Sequence, residues 1–370
     1  MNNMNQEYHD YLLWILSDEN SVFKDSRAGG TIANTGAAMK FDLSKGVLLI
    51  NTKKLFYRGL IHEMVWFMRG PENDGQLHVD YMVENKCNFW NKDLFNHNLK
   101  KEGRKLNFNE FEKEFKEFEY KLKSDKEFRK KVGGLDRPYG AQWRDWTGSN
   151  GEHIDQLANV IEAAKNRSDS RRLKVESWKV DEIDNMALPP CPTGYQFVVM
   201  NDRLDIVMNQ RSADSFLGVP MNIGEYGLLG IFVAEYAGLK PGIFTHDIVD
   251  AHIYCGVEEK AEWYSNNLEK LKDRLHDAKK PEDFLKIKNW IDRYSKKPKE
   301  EWKEDFDHVT AVLEQLARDT NKYPQAQLKI HSNNRKPAKE LLDTVSFYDF
   351  EVVGYKDNHY DKIERSMSTG

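Results

Sequence analysis

Thiol chemistry is suggested by Cys191, which ends the segment Leu188-Pro-Pro-Cys191 and precedes the polar string Gln210-Arg-Ser212. A thiolate adds readily to an electron-poor ring, and a neighbouring arginine favours the thiolate and binds phosphate well. Asp214 and Asn222 follow, adding a carboxylate and an amide that could orient a ligand. A lone cysteine is more often a small buried residue than a nucleophile. The polar residues that follow Cys191 favour the nucleophile and a nucleotide as its ligand.

The 370 residues carry a formal charge of −5, and 31% of them are charged, with both signs spread along the chain. No basic face results, so binding to a nucleic-acid polymer is not expected, whereas a few arginines suffice for a mononucleotide. The three cysteines lack disulfide or metal-ligand spacing, which suits a reducing cytoplasm and predicts no metal site. No leader-like start or apolar run of ~20 residues is present. A cytoplasmic protein that binds no membrane is expected.

The first third of the chain has two apolar segments with helical spacing, at residues 7–18 and 57–70. Between them, the glycine-rich stretch 27–31 is predicted to be a loop that could hold a phosphate. The short apolar runs 39–43 and 46–50 are predicted to be strands. Glu63 then lies in the middle of the second helix among apolar residues, where a buried carboxylate without a task would be costly.

The remainder of the chain predicts a mixture of strands and helices. Strand-like runs occupy 173–180, 194–208, 327–330 and 347–353, and helical patterns occupy 153–166 and 223–237. The second of these helices is expected to end near Gly238. The residues with chemical potential therefore lie at strand ends and turns.

Two segments, at about 96–134 and 260–323, differ from the rest in being rich in lysine and acidic residues. In the first, Phe108, Phe111, Phe115 and Phe118 recur at helical steps, and the second predicts two or three amphipathic helices. Both are interpreted as helical insertions in one catalytic domain that spans residues 1–370. The second insertion shows no chemistry of its own, so a solvated decoration is favoured over a lid or a partner surface.

The chain resembles thymidylate synthase and its relatives, the pyrimidine-nucleotide hydroxymethylases, over most of its length outside these two segments. Besides the cysteine region, the strings that carry the resemblance are Ile61-His-Glu63-Met-Val-Trp66-Phe, Arg137-Pro-Tyr139-Gly-Ala-Gln-Trp143-Arg-Asp-Trp, Asp169-Ser-Arg171-Arg172, Asp250-Ala-His252-Ile-Tyr254 and Phe350-Glu-Val-Val-Gly-Tyr355. The resemblance implies the thymidylate synthase-like fold of the α/β (α+β) class, with a mixed six-stranded sheet and surrounding helices.

Three catalytic residues are implied by the resemblance: Cys191, Glu63 and Tyr139. The C4 carbonyl of a uracil ring withdraws electrons through C5=C6, so thiolate addition at C6 makes C5 nucleophilic toward a one-carbon donor. Cys191 is assigned to that attack, and Tyr139 matches the tyrosine near the C5 proton. Glu63 should have a raised pKa on its apolar helix, which suits a carboxyl that shuttles protons through water to the pyrimidine O4.

The phosphate of dUMP would be bound by arginines and their polar neighbours. The implied nucleotide-binding residues of this group are Arg27, Arg171, Arg172, Gln210, Arg211 and Ser212. Consecutive residues of a strand point to opposite faces, so the two adjacent arginines cannot both bind a ligand of their own subunit. The resemblance implies that this pair crosses a homodimer interface to the partner's phosphate, and a solvated pair is the alternative. The loop around Arg27 is one residue shorter than the family pattern.

The base and the sugar have their own implied contacts. Asn222 matches the residue that reads the pyrimidine edge, and an amide there favours dUMP, whereas the cytosine-specific hydroxymethylases carry aspartate. Without the resemblance, a helix cap would be the expectation for Asn222. His252 and Tyr254, two residues apart on a strand, face the same side and match the pair for the sugar 3′-hydroxyl. Two buried, satisfied ring groups are the alternative.

A folate co-substrate, 5,10-methylenetetrahydrofolate, is also implied by the resemblance. Asp214 matches the carboxylate that holds the pterin ring, and Trp90 matches the tryptophan that flanks the cofactor. Leu188 and Gly218 complete the implied cofactor-binding group.

Two departures from the family pattern affect the product. Pro192 follows the nucleophile where most thymidylate synthases have histidine, and the chain ends in the polar residues 367–370 instead of an apolar tail. Both predict weaker exclusion of water from the methylene at C5. A dUMP hydroxymethylase of the kind encoded by bacteriophages is therefore expected, working in the host cytoplasm. Thymidylate synthase is the alternative, and a dCMP hydroxymethylase or a catalytically silent homologue stays open.

Overall fold

The computed structural model describes residues 3–26, 29–71, 75–166, 169–295, 306–331 and 336–365. The helices are α1 Met4–Ser17, α2 Tyr57–Arg69, α3 Asp80–Glu84, α4 Asn91–Lys101, α5 Phe108–Ser124, α6 Lys126–Val132, α7 Gly140–Arg144, α8 Gln156–Asn166, α9 Gly218–Ala237, α10 Glu258–Asp277, α11 Pro281–Tyr294, α12 His308–Leu316 and α13 Ala338–Thr344. The strands are β1 Val22–Ser26, β2 Gly29–Asp42, β3 Trp146–Thr147, β4 His153–Ile154, β5 Lys174–Glu176, β6 Pro192–Met200, β7 Arg203–Asp214, β8 Lys240–Tyr254, β9 Gln327–Ile330 and β10 Phe350–Val353.

A six-stranded sheet organises these elements, with the strand order β1-β2-β8-β7-β6-β5. The β7–β8 pair is parallel and the other neighbours are antiparallel, so the sheet is mixed, as predicted. Side chains alternate along β8, where Phe244, His246 and Ile248 are buried while Val249 is 61% exposed. Such alternation places one face of the sheet on the core. The predicted α/β class and mixed six-stranded sheet are confirmed.

Helix α9 lies against the buried face of the sheet and contacts α2 on its other side. It is apolar nearly all round, as expected for a helix enclosed by other elements. The two helices come close at Gly224, because a Cβ there would be 2.4 Å from Cδ1 of Leu60 on α2. Fully burying a Leu or Phe side chain contributes about 1.5–3 kcal/mol, so this apolar layer holds both helices firmly. An acidic residue of each helix, Glu63 on α2 and Glu225 on α9, lies near this contact.

Both segments predicted as insertions are helical where the structure describes them. In the first, the ring of Phe95 on α4 lies 5.2 Å from Phe111 and 5.1 Å from Phe118 on α5, between centroids. In the second, Trp263 of α10 and Trp290 of α11 are 5.1 Å apart. These aromatic contacts explain why the helical spacing of apolar residues was a reliable signal. None of the described helices combines the length and apolar character that crossing a membrane requires.

Several predicted boundaries in the first half of the chain are wrong. Residues 29–31 are not loop but the start of β2, where the N–H of Gly30 donates to the carbonyl of Gly256 at 2.9 Å. The run 46–50 forms no strand: Val47 donates to the carbonyl of Ala326 at 2.9 Å, and the segment is buried as irregular chain. The glycine content of 29–31 and the apolar content of 46–50 led to wrong predictions, because backbone groups that are distant in the sequence fix the conformation of both segments.

Other predicted boundaries shift in the second half. The run 194–208 is two strands, β6 and β7, joined by a turn at Asn201, whose φ is +58°. Of the run 173–180, only Lys174–Glu176 is strand. Helix α9 begins at Gly218 instead of Ile223, so Asn222 is inside the helix and the capping alternative for it is wrong.

Candidate active site

Cys191 precedes strand β6 and is anchored through its backbone. Its N–H donates to the phenol oxygen of Tyr139 at 2.8 Å, and its carbonyl accepts the N–H of Arg211 at 2.9 Å. Burial raises the pKa of the thiol, and the positive charge of Arg211 opposes this effect without cancelling it. The expectation that Arg211 favours the thiolate is therefore correct in direction, but desolvation outweighs it in the ligand-free protein.

The side chain of Arg211 holds the turn that presents Cys191. Its Nε donates to the carbonyl of Pro190 at 2.9 Å and its Nη2 to the carbonyl of Pro189 at 3.0 Å. The guanidinium also lies 5.1 Å from the ring centroid of Trp178. Proline carbonyls have no N–H of their own residue to compete, and the fixed fork of arginine suits two adjacent acceptors. Among the described residues Nη1 has no acceptor, so it can bind a ligand oxygen.

Tyr139 occupies a strained position between two aromatic residues. Its φ of +41° is unusual for a residue with a side chain and indicates a backbone held by its surroundings. The ring stacks on Phe67 at 4.8 Å and meets Trp90 edge-on at 5.8 Å, between centroids. Burial raises the pKa of the phenol well above its ordinary value, so it stays protonated. The side chain can therefore donate or accept a hydrogen bond beside the thiol.

Glu63 contacts the tryptophan predicted to flank the folate. The indole Nε1 of Trp90 donates to Oε1 of Glu63 at 2.6 Å. Burial raises the pKa of Glu63, as the sequence predicted, and hydrogen bonds from its neighbours partly offset that increase. A second buried carboxyl, that of Glu225 on α9, lies close enough to Glu63 that each affects the pKa of the other. A carboxyl in this setting suits proton transfer near neutral pH.

Asn222 belongs to a chain of side-chain hydrogen bonds that runs from the sheet to Glu225. The neutral ring of His246 faces Oε1 of Gln210 at 2.7 Å, and Nε2 of Gln210 donates to Oδ1 of Asn222 at 3.2 Å. Nδ2 of Asn222 then donates to Oε2 of Glu225 at 3.3 Å. These contacts fix which end of the amide is nitrogen. Asn222 retains one N–H and one lone pair, which matches the O4 and N3–H edge of uracil.

Asp214, His252 and Tyr254 form a second group at the ends of β7 and β8. His252 and Tyr254 face the same side, with ring centroids 5.2 Å apart, and His252 Nδ1 is 3.3 Å from Asp250 Oδ1. Oδ1 of Asp214 accepts the N–H groups of Phe216 and Leu217, both at 3.1 Å. Burial raises the pKa of Asp214, but hydrogen bonds outweigh it and the net pKa is lowered. Asp214 is therefore ionised at neutral pH.

The predicted folate-binding residues are compatible with that ligand. Oδ1 of Asp214 accepts two backbone N–H groups, and the second oxygen of this ionised carboxylate is suited to accept an N–H of a pterin ring. A Cβ at Gly218 would lie 3.6 Å from Cβ of Asp214, which is an ordinary contact, so Gly218 adjoins Asp214 without being required for its position. Leu188 is half-buried and Trp90 is buried, so both supply apolar surface. The described residues contain no group of His, Cys, Asp and Glu side chains able to hold a metal ion.

The adjacent arginines lie outside the regular sheet. Arg171 and Arg172 are exposed and precede β5, so the argument that they alternate across a strand is wrong. Neither guanidinium has an acceptor among the described residues, although the carbonyl of Arg171 accepts from Gln196 at 3.3 Å. Ser212 is half-buried in β7, next to Arg211. Arg27 and the polar tail 367–370 lie outside the described residues.

Three residues near the site were not predicted. The sequence could have singled out Glu225, since it is the charged residue within the otherwise uncharged stretch 218–234 of α9. Asp93, on the first turn of α4, has a pKa that burial raises to about 6, and its charge raises the pKa of Cys191. His308 begins α12, and its Nδ1 lies 3.6 Å from Oδ1 of Asp214. His308, which belongs to segment 260–323, therefore lies beside a residue predicted to bind the cofactor.

Comparison with known proteins identifies relatives of the whole chain. The family profile described as thymidylate synthase matches residues 6–369. The chain is similar to the thymidylate synthase of Listeria monocytogenes serotype 4b (strain F2365), with 36% identity over 286 residues, which cover 73% of this chain and 86% of the relative. The thymidylate synthase of Listeria innocua serovar 6a is 37% identical over the same length and shares of each chain.

Proposed function

The chain belongs to the thymidylate synthase family, and we propose that it converts dUMP to 5-hydroxymethyl-dUMP with methylenetetrahydrofolate as co-substrate. One-carbon transfer to C5 of dUMP is the reaction of this family. The observation that supports the transfer in this chain is Cys191, whose backbone is held by Tyr139 and Arg211. The observation that supports water as the final reactant is Pro192, which replaces the usual imidazole at the first position of β6.

In this proposal the nucleotide is oriented by groups already in place. Arg211 binds the phosphate with Nη1, Asn222 pairs with O4 and N3–H, and His252 and Tyr254 bind the sugar hydroxyl. Arg211 neutralises the charge of the phosphate, and binding of dUMP expels water from the site. Together these effects hold the ring of dUMP against the thiol of Cys191. Asparagine at 222 favours dUMP over dCMP, because an amide presents both a donor and an acceptor to the uracil edge.

Side chains of the protein then make the covalent bond to dUMP and assist the proton transfers of the reaction. Cys191 loses its proton and its sulfur bonds to C6, which pushes electron density toward C5 and O4. Bound methylenetetrahydrofolate supplies the one-carbon unit, with Asp214 and Trp90 beside it. Tyr139, protonated and next to the sulfur, assists removal of the C5 proton. Loss of the C5 proton breaks the bond between the transferred carbon and the folate nitrogen, so tetrahydrofolate leaves and a methylene remains at C5. Glu63 organises the water that adds to this methylene, after which the sulfur leaves C6.

Formation of dTMP is the second candidate, and the names of the relatives favour it. The two outcomes diverge only when the methylene at C5 accepts either hydride or water. A site that excludes water gives dTMP. Beyond the Pro192 replacement, this chain places the carboxyls of Asp93 and Glu225 near its centre, and both are able to hold water there.

The proposal extends to a homodimer and to one catalytic domain over residues 1–370, with the helices of 96–134 and 260–323 as insertions. Arg171 and Arg172 support the dimer, because two exposed arginines that have no acceptor among the described residues of their own subunit suit the phosphate of a partner.

A direct product assay tests the proposal. Purified protein is incubated with dUMP and methylenetetrahydrofolate, and both the nucleotide and the folate products are identified by mass spectrometry. Hydroxymethyl-dUMP with tetrahydrofolate supports the proposal, and dTMP with dihydrofolate replaces it with the second candidate. The Cys191→Ala variant is the control for uncatalysed transfer. If neither product forms, dCMP is tested, and inactivity on both nucleotides would indicate a silent homologue.

A further inference from the structure

Glu225 is the least expected polar residue of the core. It lies on α9 at 2% exposure, next to Gly224, where α9 packs closely against Leu60 of α2, and its carboxyl neighbours that of Glu63 on α2. We call Glu63 and Glu225 the carboxyl pair. Among the described residues no lysine, arginine or histidine forms an ion pair with either member. A buried carboxyl without a cation needs another way to avoid the cost of its charge.

Hydrogen-bond donors reach the carboxyl pair from two sides. On one side, Asn222 donates to Oε2 of Glu225 at 3.3 Å, and on the other, Trp90 donates to Oε1 of Glu63 at 2.6 Å. Oε1 of Glu225 is buried and receives no N–H or O–H from the other described groups. Two ionised carboxylates are both acceptors and repel each other, so the members of the carboxyl pair can form a hydrogen bond only when one of them is protonated.

We infer that the carboxyl pair holds a single shared proton at neutral pH. Glu225 is the positioning residue that keeps this proton available to Glu63. This inference rests on the proposed function for the use of the proton and on the geometry for its existence. Like charges in contact cannot both ionise in a buried setting, so the two protons leave in two well-separated steps.

In the described part of the chain, the titratable groups around the carboxyl pair carry no positive charge that would favour ionisation of both members. Burial raises the pKa of both members, and the contact between them raises that of Glu225 further. The neighbouring phenols of Tyr139 and Tyr226 have pKa values raised by burial, and burial raises the pKa of Cys87 to about 11, so all three are neutral at pH 7. Asp93, with a pKa of about 6, adds a negative charge that disfavours a second ionisation in the pair.

The shared proton has a defined use in the proposed reaction. When sulfur bonds to C6, the electrons of C5=C6 move toward O4, and the pair's proton can neutralise that oxygen through water. When C5 bonds to the one-carbon unit, the C4 carbonyl re-forms and the proton returns to the pair. Asn222 links the two events, because it contacts Glu225 and is proposed to contact the ring. No external acid is needed within this half of the cycle.

Glu225→Gln tests the inference through the pH profile of kcat/KM for dUMP. The amide keeps the acceptor for Asn222 but donates to an ionised Glu63, so the pKa of Glu63 falls. The alkaline limb is expected to move to lower pH by about one unit or more. Glu235→Gln, on an exposed position of the same helix, removes the same charge and should leave the limb unchanged. An unshifted limb in Glu225→Gln overturns the inference.

Infrared difference spectroscopy of the substrate-free protein gives a readout that does not depend on activity. At pH 8 Asp93 is ionised, so a protonated carboxyl C=O stretch should be present in the wild type and in Glu235→Gln, and absent in Glu225→Gln, where the amide donates to an ionised Glu63. Absence of this band from the wild type overturns the inference even if a variant fails to fold. If the band is present but no one-carbon transfer occurs, the shared proton is supported and the proposed function is rejected. If transfer occurs but the band is absent, the proposed function is supported and the shared proton is rejected.

Discussion

The hydrogen bond from the Cys191 N–H to the phenol oxygen of Tyr139, at 2.8 Å, joins two turns that are distant in sequence. Through it, the strained backbone of Tyr139 sets the position of the proposed nucleophile. The phenol of Tyr139 also lowers the pKa of the neighbouring thiol, against the larger effect of burial. Tyr139 therefore acts on Cys191 in two ways before any substrate binds.

Replacing Tyr139 with phenylalanine should reduce both activity and stability. The ring stacking on Phe67 is retained, but the buried N–H of Cys191 loses its acceptor, which costs about 1–3 kcal/mol of unfolding free energy. Loss of the phenol proton near C5 should reduce kcat by roughly 10²–10⁴-fold. Denaturant unfolding and steady-state kinetics measure the two effects. A variant with unchanged kcat would remove Tyr139 from the proposed proton transfer.

Replacing Cys191 with alanine should separate binding from turnover. Without sulfur no bond to C6 can form, so kcat should fall by about 10⁴-fold or more. The phosphate, base and sugar contacts stay, so the dissociation constant for dUMP, measured by calorimetry, should change little. Appreciable turnover in this variant would exclude the covalent mechanism.

Asp93→Asn should make Cys191 more reactive. Above its pKa of about 6, Asp93 is ionised and its negative charge raises the pKa of the thiol. Removing that charge lowers the thiol pKa, so alkylation by iodoacetamide at pH 7–8 should become faster, and the difference should shrink below pH 6. Peptide mass spectrometry distinguishes Cys191 from the buried Cys87 and Cys255. Equal rates across this range would show that the two groups do not interact.

The sequence predicted the elements whose signal is local. Helices α1 and α2 follow directly from apolar spacing, and the α/β class with its mixed sheet followed from the resemblance. Glu225 was missed, although it stands out in α9, because its significance depends on which face of α2 it meets. That contact is set by Gly224 against Leu60, and no local pattern encodes it.

The exchange of Asn222 for aspartate should change the preferred base. A carboxylate at this position accepts hydrogen bonds from the 4-amino group of cytosine and repels O4 of uracil. The ratio of kcat/KM for dCMP to that for dUMP should therefore rise, measured with both nucleotides at one folate concentration. In this variant the donor to Glu225 is also lost, so the matched control is Asn222→Gln, which retains an amide. A ratio unchanged by aspartate would remove Asn222 from base recognition.

The adjacent arginines allow a test of the dimer that needs no structure of the complex. If Arg171 and Arg172 bind the partner's phosphate, the double alanine variant should raise KM for dUMP at least tenfold, because a charge-assisted bidentate contact is lost. Mixing this variant with Cys191→Ala, under mild denaturation and refolding, should restore activity. In the mixed dimer one site combines an intact Cys191 with intact arginines from the other subunit. Arginines that serve their own subunit would give no restoration, since each site would then lack one essential group.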